Sequence, residues 1–360
     1  MSIIWCSISA HGFGHAAQTI PILNELGAVL GDVHVILRTC VSPSIFHEYL
    51  TVKWNVQAVP QDIGCIQRGP LDIDVPGTWD AYQEFHENWS QRVNQEAEAI
   101  HEAQADLVIS NISYLAIAAA FQANRPVVAI ASLCWDQVLQ PFIQTSKADH
   151  QAIYEQMRLE YAKADQLVRL YPAIEMPAFP RVTDTGPSFP LVQSTSHDLR
   201  KRLSIEPEDT LVVIAFGGVP LTGLPLEQIE MCQGFHFLVG GVPLDSSSMR
   251  IHQIEECQMP FGEIMRQADV IMTKPGYATI AMAVHYGIPL VYVRRNNFVD
   301  EQRLVEYAHH YGRAMELTCE DFESGDWGKT LNAVLALPSP GEPPPQPDHR
   351  AVVDLLRGYL

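Results

Sequence analysis

Short apolar runs alternate with amphipathic helical stretches from the first residues of the chain. Ile3–Ser9 (IIWCSIS) reads as a strand. Ile20, Leu23 and Leu26 then fall on one helical face, with Pro21 tolerable in the early turns. Val33–Leu37 is the next strand. The alternation returns at Asp106–Ser110, Leu115–Phe121 and Val127–Ile130, and again at Leu211–Ala215, Leu226–Cys232 and His236–Gly240. Its clearest copy spans Ala268–Arg295. There the strand Asp269–Thr273 breaks at Lys274-Pro275-Gly276, and the helix Tyr277–Tyr286 turns Ile280, Ala283 and Val284 to one face. Gly287 stops that helix before the strand Pro289–Val293. Parallel strands require such a helical crossover, so the pattern predicts βαβ units and an α/β fold. Val56–Val59 is a further strand candidate, and Trp79–Ala105 reads as one or two surface helices. Gln151–Ala164, short helices near His197–Leu203 and Phe261–Gln267, and a segment ending at His310 are helical. The amphipathic Arg350–Arg357 can pack onto either domain.

The periodicity lapses between Met176 and Ser196, where Pro177, Pro180, Gly186, Pro187 and Pro190 cluster. This stretch reads as an inter-domain linker. It gives an N-terminal domain over 1–182, a linker over 183–197, a C-terminal domain over 198–345 and a terminal helix over 346–360. A length of 360 residues and 47% hydrophobic content suit two packed domains. The net charge of -19 disfavours nucleic acid and anionic membrane surfaces as partners. No apolar run reaches membrane-spanning length, and no basic leader precedes an apolar region. The seven cysteines are scattered without a CxxC pair, which suits reduced thiols in the cytoplasm rather than a zinc ribbon.

Candidate chemistry gathers at the strand-to-helix turns. In the first, Gly12, Gly14 and Ala17 fit G-x-G-x-x-A, the form of a dinucleotide fingerprint. The acidic residue expected after the second strand is replaced by Arg38, which leaves an NADP-type alternative. His15 stands at the helix start, where the positive dipole end lowers a histidine pKa and suits it to take a hydroxyl proton. His11 closes the other side of the loop, and Asn111 sits at the end of a later strand, where ligands of open α/β sheets gather. Gly217 and Gly218 end another strand and can offer backbone N–H groups to a phosphate. Lys274, Gly276 and Thr279 line the turn before the central helix, a ready anion site. Asp72-Ile73-Asp74 is a DxD, a sequence that holds a metal in one class of sugar transferases, but three residues match by chance often and Pro70, Pro76 and Gly77 favour a solvated turn. Asp300, Glu301 and Gln302 suit hydrogen bonds to sugar hydroxyls or a helix N-cap.

With both halves in view, the chain resembles the GT-B glycosyltransferases. It is most similar to the family 28 group of peptidoglycan GlcNAc transferases and plant diacylglycerol galactosyltransferases, and to the glycosyltransferase-like N-terminal region of plant arabinokinases. ADVIMTKPGYATIAMAVHYGIPLVYV with the later DEQ carries the likeness in the C-terminal half. HGFGHAAQTIPIL, DIGCIQ (Asp62–Gln67), ADLVIS and SLCWD carry it in the N-terminal half. The resemblance implies two Rossmann-like doubly wound domains facing a cleft, with the nucleotide-sugar donor on the C-terminal domain and an acceptor of unknown identity on the other. It implies an inverting, metal-independent transfer with no cofactor beyond the nucleotide-sugar substrate. His15 matches the family's proton-abstracting histidine, and Gly217 and Gly218 its glycine loop near the diphosphate. Gly276, Tyr277 and Thr279 match its diphosphate-contacting turn, and Asp300, Glu301 and Gln302 its sugar-contacting segment. Two positions depart from the pattern. Met282 stands where many relatives place a ribose-binding glutamate. Asn111 stands where some place an aspartate behind the histidine. A sugar-nucleotide-binding or regulatory domain without turnover, and a GT-B-fold sugar-nucleotide epimerase, are the alternatives.

Overall fold

The computed structural model describes residues 1–192, 198–217, 223–240 and 248–360. The chain divides into two compact units, one of residues 1–66, 73–190 and 346–360 and one of residues 67–72 and 191–345.

The first unit begins β1 (Ser2–Ile8), α1 (Gly14–Leu30), β2 (Val33–Arg38), α2 (Pro43–Tyr49) and β3 (Lys53–Gln57). It continues through α3 (Val75–Glu87), α4 (Trp89–Glu102), β4 (Leu107–Asn111), α5 (Tyr114–Gln122) and β5 (Val127–Ala131). It closes with α6 (Trp135–Leu139), α7 (Ala148–Tyr161), β6 (Gln166–Leu170) and β7 (Val182–Thr185). These strands form a seven-stranded sheet in the order β3-β2-β1-β4-β5-β6-β7, with every pair parallel. Inner strands covered on both faces read as unbroken apolar runs, which is why β1, β4 and β5 were legible. The edge strands β3 and β7 carry exposed polar residues such as Lys53, Gln57 and Asp184.

The second unit contains α8 (Leu199–Leu203), β8 (Thr210–Ala215), α9 (Leu226–Glu230), β9 (Phe235–Val239) and β10 (Ile251–Gln253). It continues through α10 (Phe261–Arg266), β11 (Val270–Thr273), α11 (Tyr277–His285) and β12 (Leu290–Tyr292). It ends with α12 (Glu301–Tyr311), β13 (Ala314–Glu316), α13 (Cys319–Ser324) and α14 (Gly328–Leu335). Its six-stranded sheet runs β10-β9-β8-β11-β12-β13, again parallel throughout. One side is filled by Ile214, Phe237, Met272, Val291 and the fully buried Trp327. Residues 67–72 join this unit although they precede it by more than a hundred residues. The Leu71 carbonyl accepts from the Asn296 N–H (2.7 Å), and the Leu71 side chain packs on the same core.

In both sheets the chain starts in the middle, builds outward in one direction, then returns to the other side of the first strand. The switch points lie between β1 and β4 and between β8 and β11. Ligands of open α/β sheets bind outside the C-terminal strand ends at such points.

Several expectations are revised. The stretch expected as an aperiodic linker opens with β7, which pairs with β6. The strand expected over Val56–Val59 lies earlier, at Lys53–Gln57. The C-terminal helix α15 (His349–Leu356) belongs to the first unit, where Val352, Val353 and Leu356 are buried and Arg350 pairs with Glu25 at 3.7 Å. The approach to it is tight. A Cβ on Gly186 would overlap the Gln346 carbonyl oxygen. Burial holds the His349 pKa down at about 4. The neutral ring sits 3.1 Å from the Ser188 oxygen, whose hydroxyl donates to the Gln18 carbonyl (2.6 Å). Gly186→Ala is therefore expected to cost about 1–3 kcal/mol through overpacking, measured by urea unfolding.

Candidate functional site

The first switch point assembles a histidine and an amide. β1 ends at Ile8, Gly12 turns the chain with a φ of 79°, and α1 opens at Gly14. His15 therefore stands in the first turn of α1. β1 and β4 are neighbours, with Ile8 beside Asn111 in register, and the Ser9 N–H donates to the Asn111 carbonyl (2.7 Å). This register brings together two residues far apart in the chain: His15 Nδ1 lies 2.8 Å from Asn111 Oδ1, and both side chains are buried.

The surrounding bonds decide which way the amide faces. Asn111 Nδ2 donates toward Thr19 Oγ1 (3.0 Å), Gln18 Oε1 (3.1 Å) and the His15 carbonyl (3.3 Å). The Thr19 hydroxyl gives its own proton to the His15 carbonyl (2.8 Å), so its oxygen must accept. Gln18 Nε2 donates to Ser132 Oγ (2.9 Å), which turns Gln18 Oε1 toward Asn111. The Asn111 oxygen therefore faces His15 and can only accept. Nδ1 carries the ring proton in the neutral imidazole, and Nε2 becomes the proton-accepting nitrogen. The departure Asn111 thus has a local reason. An aspartate would turn an oxygen toward three acceptors where the amide nitrogen donates.

His11 belongs to the same loop. Its Nδ1 accepts from the Cys65 N–H (3.4 Å), and its ring meets the Trp135 indole edge-on at 5.4 Å. His15 touches the same indole from another side, at 5.8 Å. A carboxylate that sequence reasoning left unassigned joins this group. Asp62 Oδ1 accepts from the Ser9 hydroxyl (2.9 Å), and Oδ2 accepts from the Trp135 indole N–H (3.0 Å). Loss of water raises the Asp62 pKa to about 6, against the opposing pull of those two donors.

At the second switch point Thr273 pairs with Ala215 in register, and its hydroxyl donates to the Ala215 carbonyl (2.6 Å). Gly217 follows with a φ of 75°, in the left-handed region that favours glycine. Lys274 passes over it, its Cε 3.7 Å from where a Gly217 Cβ would stand. Burial first, then the nearby Arg295, lowers the Lys274 pKa to about 8, with Asp300 opposing. Gly276 is the N-cap of α11 and supplies no side-chain cap, so the first N–H groups of the helix, through Thr279, look out from its positive end. Tyr277 is buried at that start. Gly218 lies outside the described residues.

The acidic segment after β12 is tied to arginines. Glu301 is buried, accepts from the Arg295 N–H (2.7 Å), and pairs with Arg295 (3.3 Å) and Arg294 (3.4 Å). Asp300 pairs with Arg295 at 3.1 Å. Gln302 is exposed and donates to Glu306 (2.9 Å). Arg295 was missed; the signal was its place directly after an apolar strand. Met282 is buried on α11.

Arg38 and Asp74, each weighed from the sequence, have partners within the first unit. Arg38 is not available to a 2′-phosphate: it is buried between Glu96 (Nε–Oε1 3.0 Å) and Gln57 (2.9 Å). Asp74 caps α3, accepting from the Gly77 N–H (3.3 Å). Among the described residues no group of three or more His, Cys, Asp or Glu side chains is placed to hold a metal ion, and no helix is long and apolar enough to cross a membrane.

Two doubly wound Rossmann-like units define the fold, and it is the GT-B glycosyltransferase fold. The chain is similar over 99% of its length to the glycotransferase of kitacinnamycin, over 99% of that chain, at 15% identity and a TM-score of 0.64. The calicheamicin glycosyltransferase CalG4 is similar over 99% of this chain and 93% of its own, at 13% identity and a TM-score of 0.61. UGT2 of Phytolacca americana, complexed with UDP-2fluoro-glucose and pterostilbene, is similar over 93% of both chains at 14% identity and a TM-score of 0.58. In sequence, 334 residues (92% of the chain) are 27% identical to L-arabinokinase of Arabidopsis thaliana. The match spans about a third of that protein, 32% of its length. No protein-family profile matches the chain.

Proposed function

We propose that this chain transfers a sugar from a nucleoside-diphosphate donor to an acceptor hydroxyl, with inversion and without a metal. The observation that carries the reading is the 2.8 Å contact between His15 Nδ1 and Asn111 Oδ1, which sets the tautomer of a histidine at a topological switch point. His15 Nε2 takes the acceptor hydroxyl proton as that oxygen attacks the anomeric carbon. The bond from that carbon to the phosphate oxygen breaks, and the nucleoside diphosphate leaves. The leaving charge meets the N–H groups at the start of α11, the Gly217 backbone and the Lys274 ammonium. Donors already aimed at developing charge need no rearrangement during the step. GT-B neighbours, one of them solved with a UDP-sugar analogue, support this assignment of the donor.

One observation favours a second reading, a sugar-nucleotide-binding domain without turnover. Asn111 orients His15 but offers no negative charge to an imidazolium. Incubation with UDP-, GDP- and dTDP-sugars and an acceptor panel separates the two. Release of nucleoside diphosphate supports transfer, while nucleotide binding without release supports the second reading.

Lys274→Met is expected to weaken nucleoside-diphosphate binding roughly 10- to 100-fold, the worth of a hydrogen bond to a charged group. The pH dependence has a definite sign. The protonated amine binds the anion, and its pKa is about 8. Affinity measured by calorimetry therefore falls as pH rises above about 8 in the wild type, and Lys274→Met removes that limb.

A further inference from the structure

We propose that Asp62 is a substrate-facing carboxylate that selects polyhydroxylated acceptors, of sugar or cyclitol type, over apolar phenolic ones. The inference rests on the transfer reading and names the acceptor class of that same site. It begins with position. Asp62 lies in the loop between β3 and α3, Ser9 follows β1, and Trp135 opens α6 after β5. All three stand beyond the C-terminal strand ends, on the ligand side of an open α/β sheet.

The loop is fixed at several points. Gln61 is buried, accepts from the Ser7 hydroxyl through Oε1 (2.7 Å), and accepts from the Ser113 hydroxyl through its carbonyl (2.7 Å). A Cβ on Gly64 would lie 2.7 Å from His11 Nδ1, so this loop and the His11 loop touch. The loop that carries Asp62 is thus held against the His11 loop, and Asp62 itself is tied to the Trp135 indole that both histidines touch.

Its partners are the informative part. Both donors to Asp62 are neutral, the Ser9 hydroxyl and the Trp135 indole, and no lysine or arginine pairs with it among the described residues. Cys40, Tyr82, Tyr114 and Tyr161 feel its charge, and burial first raises the pKa of each, so all four are neutral near neutrality. Asp62 remains partly exposed. Each carboxylate oxygen keeps lone pairs beyond its single protein donor. An apolar ligand seated there would strip water from an uncompensated carboxylate and return no hydrogen bond, at a cost. Neighbouring hydroxyls supply the missing donors. Loss of water holds the carboxyl pKa up at about 6, with the Trp135 and Ser9 donors opposing.

Calorimetric titration of the full chain, with nucleoside diphosphate present, tests this with two probe panels. One holds free hexoses, pentoses and inositol; the other holds simple phenols. Binding of at least one polyol is expected, with affinity falling as pH drops below about 6 as the carboxylate is protonated. Asp62→Asn is expected to weaken that binding roughly 10-fold or more and to abolish the acid limb. Ser9→Ala removes one donor from the carboxylate, so the limb moves to higher pH; this variant serves if Asp62→Asn does not fold. Phenol binding without polyol binding overturns the proposal, as does an acid limb unchanged in Asp62→Asn. Either result leaves nucleotide binding, and so the transfer reading, standing. Failure of every nucleotide to bind overturns the transfer reading instead.

Discussion

His15→Ala is expected to lower acceptor-dependent release of nucleoside diphosphate by roughly 10²- to 10⁴-fold, the usual contribution of a positioned base. Donor affinity stays at the wild-type value, because the ligands assigned to the diphosphate lie in the other unit. The variant also leaves Asn111 Oδ1 without the ring at 2.8 Å, so a fall in stability of about 1–3 kcal/mol accompanies it. Asn111→Ala separates these effects. It keeps the imidazole but removes the acceptor that fixes its tautomer, so it lowers turnover by less than His15→Ala. Steady-state kinetics with donor held saturating read both variants. Turnover unchanged in His15→Ala removes the base assignment.

The largest expected loss of stability comes from a residue with no part in the chemistry. Glu96 on α4 is buried, accepts from the Trp5 indole N–H (2.9 Å) and pairs with the Arg38 guanidinium. That guanidinium also stacks 5.0 Å from the Trp5 ring. Glu96→Ala leaves a buried positive charge and a buried indole N–H without their acceptor. Breaking one side of such a pair costs about 3–5 kcal/mol, a large share of the roughly 5–15 kcal/mol that holds a typical protein together. The double variant Arg38→Met with Glu96→Leu removes both charges and is expected to recover the part of that loss due to the unpaired guanidinium, while the Trp5 indole N–H still lacks its acceptor. Chemical unfolding followed by tryptophan fluorescence measures both. A small loss in Glu96→Ala, with none recovered in the double variant, contradicts the pair's role.

The contrast between Arg38 and His15 shows where the sequence stops being readable. Strands β1, β4, β5, β8 and β11 announce themselves, since a buried parallel strand needs an apolar run and little else. β6 is harder, because Gln166 and Arg169 interrupt its apolar residues. β10 and β13 have only three residues each, too few for a period. The edge strand β7 hid in a proline-rich stretch, where its exposed residues gave no apolar signal. His15 was legible because two glycines and a helix start mark its loop. Its bond to Asn111 was not, since a separation of 96 residues is closed only by the register of β1 on β4. Arg38 left an NADP-type alternative open because its partner Glu96, 58 residues away, is invisible to local pattern. Asp62 stayed unassigned for the same cause: its environment comes from Ser9 and Trp135, each on a different loop. Residues 67–72 gave no local sign that they complete the second unit.

The most direct test follows the backbone amides of the ¹⁵N-labelled protein during titration with UDP, GDP and dTDP. With at least one nucleotide the amides of Gly217, Gly276, Tyr277 and Thr279 are predicted to shift and saturate together. Lys274→Met moves that saturation to higher concentration. Saturable binding that leaves those four amides unmoved and shifts others in their place contradicts the assignment of the second switch point as the diphosphate site.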